Sequence, residues 1–490
     1  MKRKLKKLFL AGLLVGLVVW AVPFFTGYLV ENKYKDILNV LSDFDAVTLT
    51  PLEYHRGWLS STATSRLTLE DPGFQRLYQT LSQDKEHISP PNNKLVIKLQ
   101  HEILHGPFIR ETPDQDKKWR FAQARVKTRL FLTEESKELL NTMIGTTELL
   151  KVETEIALKG SVDITLQGPS LTFKDTPKAP PSTWKGMIGK WKLDKDLKTI
   201  TGELVVPGFD LDIHDAHVFA QDLLMKIHWT KIPEGLWTGQ EVFRMQALEV
   251  LNDLIHSPVK FAGINGRAEV NQKENLVDST FAGKVDKFEL AGQKGGPFEG
   301  VFFLKNIDAA VFTLLKEFEA SDRNNGSLFS EWKAVNKLID FLPEILVNRP
   351  TFQIDKLHLV TNDGALDARF MISMGGPDIQ DIRDPKAIWV STQAEGMLVL
   401  QKSLLKKILE EKTKAEAPKL SQADVSKTAL AQLKKWEDAQ IFVQKDQNYI
   451  LKLEIKSGKL FINGVDFLVE KIIQPEKPKI PAVPEAKKAA

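Results

Sequence analysis

The spacing of apolar and polar residues changes character repeatedly along the chain. Leu8 to Phe25 is a run of eighteen residues without one charge. A helix of that length rises roughly 27 Å, close to the hydrocarbon thickness of a bilayer, so residues 8–27 are expected to form a single transmembrane helix. Directly after it, Tyr28, Val30, Tyr34, Ile37, Leu38 and Leu41 recur at near-helical intervals among polar residues. That spacing predicts an amphipathic continuation of the same helix out into solvent. From Asp45 onward the period falls to two. Ala63, Ser65, Leu67 and Leu69 alternate with polar neighbours, and so do Leu95, Ile97 and Leu99, then Ala122 to Leu132, Leu150 to Leu158 and Val162 to Leu166. This is the signature of strands with one buried face.

Further strands are expected from Gly186 to Trp229 and from Phe261 to Phe303, separated by Gly, Asp and Lys turns. Helical spacing returns at Ala309 to Ala320 and in the stripe Leu328, Trp332, Val335, Ile339, Leu342 and Ile345, which Pro343 should kink or end. Shorter helices are predicted at Phe74 to Leu81 and Glu134 to Met143. Phe352 to Met374 reads as two strands joined at Asn362-Asp363-Gly364, a favoured hairpin turn. Two charged helices follow, Leu400 to Lys412 and Gln422 to Asp438, then a hairpin from Tyr449 to Ile462 turning at Ser457-Gly458. The fold class expected is α+β, predominantly antiparallel β: a long meander or curved sheet with a few packed helices, preceded by one transmembrane helix. Residues 28–472 would form the β-rich body, with a division into two sub-modules near 305–350, and the Pro, Lys and Ala of residues 473–490 a disordered tail.

Charge sets the orientation. Lys2, Arg3, Lys4, Lys6 and Lys7 precede the apolar run and should stay cytoplasmic, which places the body of the chain across the membrane. The run is longer than a signal-peptide core, and its best cleavage site, Val19-Trp20-Ala21, contains a bulky residue, so the segment is expected to remain as an anchor. The formal net charge of +3 belongs to the two termini, and the body between them is mildly acidic with interleaved signs. A nucleic-acid partner, which needs a concentrated basic face, is therefore not expected. The chain has no cysteine, which excludes disulfides, thiolate metal sites and cysteine nucleophiles.

Two groups of residues invite a metal. His101-Glu102-Ile103-Leu104-His105 fits the H-E-x-x-H pattern of zinc hydrolases, in which two histidines one helical turn apart hold the metal and the glutamate is the general base. Here Leu95 to Leu99 alternates as a strand, and Pro107 pushes Gly106 away from helical geometry, so strand and turn are expected instead. His214 and His217 flank Asp212 and Asp215, yet in an extended strand 214 and 217 point to opposite faces. No metal or cofactor is expected at either place. Trp184, Trp191, Trp229 and Trp237 are read as packing on the sheet. Tyr54, Arg56, Gly57 and Trp58 are the candidate ligand or structural residues: Arg56 beside Trp58 suits an anionic group or an aromatic ring, and the alternative is a strand with a tight bend near the membrane.

Taken as an ordered set, Gly27-Tyr28, the Tyr54-x-Arg56-Gly57-Trp58-x-Ser60-Ser61 stretch, His105-Gly106-Pro107, Trp184-Lys185-Gly186 with Gly202-Glu203-Leu204, Gly235-Leu236-Trp237-Thr238-Gly239 and Phe461-Ile462-Asn463-Gly464 resemble the YdgA-like family of bacterial envelope proteins. That family carries a domain of unknown function. The resemblance implies a single-pass inner-membrane protein of gram-negative bacteria with a periplasmic domain, and it supplies no catalytic residues. Strands outnumber helices so heavily that an apolar sheet face should remain uncovered, suited to a lipid or another apolar ligand. The competing readings are an envelope scaffold that self-associates, and a zinc hydrolase using His101, Glu102 and His105.

Overall fold

The computed structural model describes residues 25–40, 47–69, 95–110, 119–132, 150–173, 182–213, 216–233, 235–252, 255–290, 293–311, 345–376, 385–418 and 420–467. The expected cytoplasmic segment and tail, nearly all of the expected transmembrane helix, the helices predicted at 74–81 and 134–143, and most of those at 309–345 lie outside them. Among the described residues no helix is long and apolar enough to cross a membrane. The chain divides into two compact units, residues 1–273 with 279–299 and residues 274–278 with 300–490.

The first unit opens with helix α1, residues 25–40. Strands follow as β1 (Val47–Arg56), β2 (Ser60–Leu69), β3 (Leu95–His105), β4 (Phe108–Arg110), β5 (Trp119–Leu132), β6 (Lys151–Ala157), β7 (Val162–Gly168), β8 (Leu171–Phe173), β9 (Ser182–Trp184), β10 (Met187–Leu193), β11 (Thr199–Ile213), β12 (Ala216–Lys231), β13 (Trp237–Asn252) and β14 (Ile255–Lys273). Hydrogen bonding runs in the order β1, β2, β3, β5, β6, β7, β10, β11, β12, β13, β14, with every neighbour antiparallel. Each strand therefore pairs with one close to it in sequence, the meander that the period-two pattern predicts. Short β4 pairs with β5, and β8 and β9 form a side ribbon that reaches β11 where Trp184 stacks on Phe209. In the middle of β11 and β12, Pro207, which has no N–H, sits opposite Asp222 with a positive φ of 51°; the pairing skips this position and resumes in the same register.

One face of this sheet is apolar, and α1 lies against part of it. Val30, Tyr34, Ile37 and Leu38 form one stripe on the helix and are buried with Ala63, Ile103, Ala124, Val126, Ile156, Val162, Leu193 and Ile200. The amphipathic continuation predicted from residue 28 is thus present, but its apolar stripe is seated on the sheet instead of projecting into solvent. Tyr28, expected on that stripe, is exposed. Of the tryptophans, Trp191 and Trp237 pack against this core, Trp191 lying across Gly189 of its own strand and Gly202 of β11 beside it.

Strands β15 (Leu276–Val285), β16 (Lys287–Leu290) and β17 (Gln293–Asp308) follow, β16 pairing with both β14 and β17. In the second unit β18 (Thr351–Thr361) and β19 (Gly364–Ser373) meet at the expected Asn362-Asp363 turn, where Gly364 holds a φ of +141°. Then come α2 (Pro385–Ser391), β20 (Gln393–Gln401), α3 (Lys402–Glu416), α4 (Gln422–Asp438), β21 (Val443–Lys445), β22 (Asn448–Lys456), β23 (Lys459–Ile462) and β24 (Val465–Phe467). Pairing joins β18, β19, β20, β22, β23 and β24 in that order, and the α3–α4 hairpin buries Leu404, Leu405, Leu409, Ala429 and Leu433 over Leu400 and Tyr449. α3 starts two residues later than the pattern suggested, because Leu400 and Gln401 still complete the ladder of β20.

Ile103, fully buried between α1 and the sheet, should cost roughly 2–5 kcal/mol when replaced by alanine, whereas Ile188→Ala, at 49% exposure, should stay within about 0.5 kcal/mol. Urea unfolding of the two variants checks the assignment of the apolar face.

Candidate functional site

Strand alternation places Ser61 and Ser65 of β2, His101 and His105 of β3, and Thr128 of β5 on the same inner face as the apolar core, and all five are buried. Their side chains satisfy one another across the strands. His101 Nε2 lies 2.8 Å from Ser65 Oγ, and its Nδ1 lies 2.8 Å from Thr128 Oγ1. His105 Nδ1 is 3.3 Å from the Trp58 carbonyl, which can only accept, so this nitrogen carries a proton, and Nε2 lies 2.8 Å from the Ser61 hydroxyl. Burial holds the His101 imidazole neutral. For His101, burial drives the pKa down from the usual 6.5 to about 4.

Helix α1 closes this seam. The Tyr34 ring stands edge-on to His101 with centroids 5.2 Å apart and leans on Tyr54 at 5.9 Å. The Tyr34 hydroxyl, with Ser65 beside it, and the Tyr54 hydroxyl, with Ser61 beside it, are buried and complete no hydrogen bond of good geometry among the described residues. Burial outweighs the opposing influence of the serines and pushes Tyr34 up to about 12 and Tyr54 upward as well. At the N-terminal turn of α1, Thr26 Oγ1 donates to the Gly106 carbonyl at 3.0 Å, and Gly27 lies flat on the His105 ring. A β-carbon at Gly27 would come within 2.7 Å of His105 Cε1, so the helix can sit this close only with glycine there. Further along, Lys33 Nζ donates to the Lys195 carbonyl at 2.6 Å, in the turn after β10.

The candidates from the sequence meet at the same place. Tyr54 points into the seam. Arg56, two residues on, lies 3.7 Å from Glu31 and 5.6 Å from the centre of the Tyr28 ring, both on α1. Gly57 makes the tight bend between β1 and β2, its N–H donating to the Ser60 carbonyl at 2.9 Å, and a β-carbon there would approach that oxygen to 2.4 Å. Trp58 contributes its carbonyl to His105 while its side chain is 38% exposed. Gly27-Tyr28, the Tyr54 to Ser61 stretch and His105-Gly106, separate in sequence, therefore form one helix-docking junction. What the sequence reading missed were Ser65, Thr128 and Tyr34, and the inward side of the two histidines. The signal was available: 61 and 65, like 101 and 105, are four apart on strands, hence on one face.

The H-E-x-x-H pattern lies on a strand and its turn. Glu102 is exposed on the opposite face from His101 and His105, so the three residues do not converge, and among the described residues no group of three or more His, Asp or Glu is placed to hold a metal. Ser61 and His105 form a hydroxyl–imidazole pair, but at 2% and 4% exposure neither is within reach of a substrate while α1 is seated. His217 sits 2.8 Å from Asp212 and 3.6 Å from Asp210 as a surface cluster; His214 and Asp215 lie outside the described residues.

Fold and site together define a class: a meandering antiparallel sheet whose polar seam is sealed by an N-terminal helix. The chain belongs to the family described as bacterial protein of unknown function (DUF945), which matches residues 3–470. No curated protein and no solved structure matches the chain.

Two outcomes follow from the seam. Since the fold accepts only neutral His101, its contribution is complete above the ordinary histidine pKa near 6.5 and is lost as pH falls from there toward 4, a gap worth on the order of 3 kcal/mol. Denaturant unfolding between pH 7 and 4 should show this loss, and His101→Gln should flatten it. Gly27→Ala should lift the helix from His105, seen as a lower unfolding midpoint and faster hydrogen exchange along residues 25–40, while Gly283→Ala, with open space around it, should leave both unchanged.

Proposed function

We propose that this protein is an envelope protein anchored by Leu8 to Phe25, without catalytic activity of its own, that holds a lipid or another apolar ligand on the inner face of its long sheet. The observation that carries this reading is the continuation of the apolar face past the helix that covers it. Beneath α1 that face is sealed. Along β11 to β13 the same face presents Leu204, Met225, Ile227, Trp229, Phe243 and Met245, and all of these are only half-buried. Their neighbours on the other face, such as Lys226 and Gln246, are exposed and polar. Apart from Glu241, which stands opposite Ile227 on this face, the strip is of aliphatic, aromatic and thioether side chains, the lining that apolar ligands use, and methionine adapts it to chains of varied shape. The membrane anchor would bring this strip to a lipid source, in keeping with the YdgA-like resemblance.

A photo-crosslinking residue at Met225 or Phe243 of the full-length protein in cells should yield adducts of lipid mass, while the same residue at Lys226 or Gln246 should not. Equal absence of adducts at all four positions would remove the reading.

A further inference from the structure

The docking junction sits at one end of the sheet, and that end is unusually apolar on its outside. Phe25 is 66% exposed, Leu59 64%, Phe121 63%, Phe108 52%, Leu158 49% and Trp58 38%. Far apart in sequence, they are drawn together by the bonds that close this end. Thr26, next to Phe25, donates to the Gly106 carbonyl; the His105 N–H donates to the Leu59 carbonyl at 2.8 Å; the Gly106 N–H donates to the Gln123 carbonyl at 2.6 Å. Gln123 Nε2 in turn donates to the Leu158 carbonyl at 2.9 Å, and the Phe108 and Phe121 rings meet edge to face at 5.1 Å.

We infer that this end of the sheet is a membrane-contacting surface, on which Trp58, Leu59, Phe108, Phe121 and Leu158 enter the interfacial layer of the bilayer that the apolar segment spans. This rests on the anchor reading of Leu8 to Phe25. The occupant follows from where that segment stops. Phe25 is its last residue, and the very next one, Thr26, is bonded to the sheet. At 3.8 Å per residue there is no linker to hold the sheet end away from the headgroups. Large aromatic and aliphatic side chains on an exposed rim are also what the interface favours, seated roughly 5–10 Å into the headgroup and acyl boundary. The rim and α1 thus form one rigid foot that fixes the tilt of the sheet on the membrane.

The absence of cysteine in the chain makes a direct test possible. Full-length protein carrying a single environment-sensitive label at Leu59→Cys, Phe121→Cys, Leu158→Cys, Val15→Cys or Leu251→Cys is reconstituted into phosphatidylethanolamine–phosphatidylglycerol vesicles with spin-labelled lipid as quencher. Leu251 is also exposed and apolar, but it lies at the opposite end of β13. Quenching at 59, 121 and 158 roughly threefold or more above that at 251, together with quenching at 15, is the expected result. Quenching at 15 with 59, 121 and 158 no different from 251 leaves the anchor standing and overturns the foot. Shielding of 59 and 121 from aqueous iodide without lipid quenching assigns the rim to a second copy of the chain and also overturns it. Failure to quench at 15 removes the anchor and the inference with it.

Discussion

The contact between Gly27 and the His105 ring is the constraint on which the arrangement of the first unit depends. It sets how deeply the N-terminal turn of α1 can settle, and that depth determines whether Val30, Tyr34, Ile37 and Leu38 reach the sheet. Those side chains cover Ile103, Ala124 and Ile156, which would otherwise be exposed on an apolar surface. Arg56 with Glu31 and Tyr28, and Lys33 with the Lys195 carbonyl, hold the helix further along, but exposed charge pairs contribute little by themselves. The close glycine contact cannot be replaced in that way, because no other residue lets the helix backbone approach an aromatic ring so nearly.

A helix of sixteen residues cannot cover a sheet of eleven strands. The same alternation that buries Leu193 and Ile200 beneath α1 leaves Met225, Trp229 and Phe243 half-buried on the strands beyond. Strand length adds to this: β11 to β14 run fifteen to nineteen residues, each adding an inward side chain at every second position. The uncovered strip is therefore a consequence of the sheet's size relative to its one described helix, and function would be built on that excess.

Much of this was legible in the sequence, for reasons that can be named. Period-two alternation located the strands because one face of each is buried, and Asn362-Asp363-Gly364 and Ser457-Gly458 marked turns because their backbone geometry favours those residues. The strand context and Pro107 were enough to set aside helical zinc geometry at His101 and His105. Less legible was the destination of α1, since amphipathic spacing says that a helix has an apolar face and nothing about what that face meets. The seam was hidden for a related reason. Ser65 alternates in step with Ala63, Leu67 and Leu69, and Ser61 falls on the same face, but only pairing with β3 shows that these hydroxyls meet imidazoles.

Why the helix should be seated on polar groups at all has a physical answer in register. An apolar stripe on an apolar sheet would be nearly as well satisfied after sliding by a turn, because area burial carries no direction. Hydrogen bonds do carry direction: Ser61 with His105, and Ser65 and Thr128 with His101, each require one alignment of β2, β3 and β5, since a slip of one residue would turn every partner to the other face. The Tyr34 edge against His101 then offers the helix one position in which its hydroxyl lies beside Ser65 and not against hydrocarbon. Such a seam gives up some stability, because two phenol hydroxyls are left buried without good partners. In return it ties the alignment of the sheet, the position of α1 and the point where the chain leaves Phe25 to a single geometry.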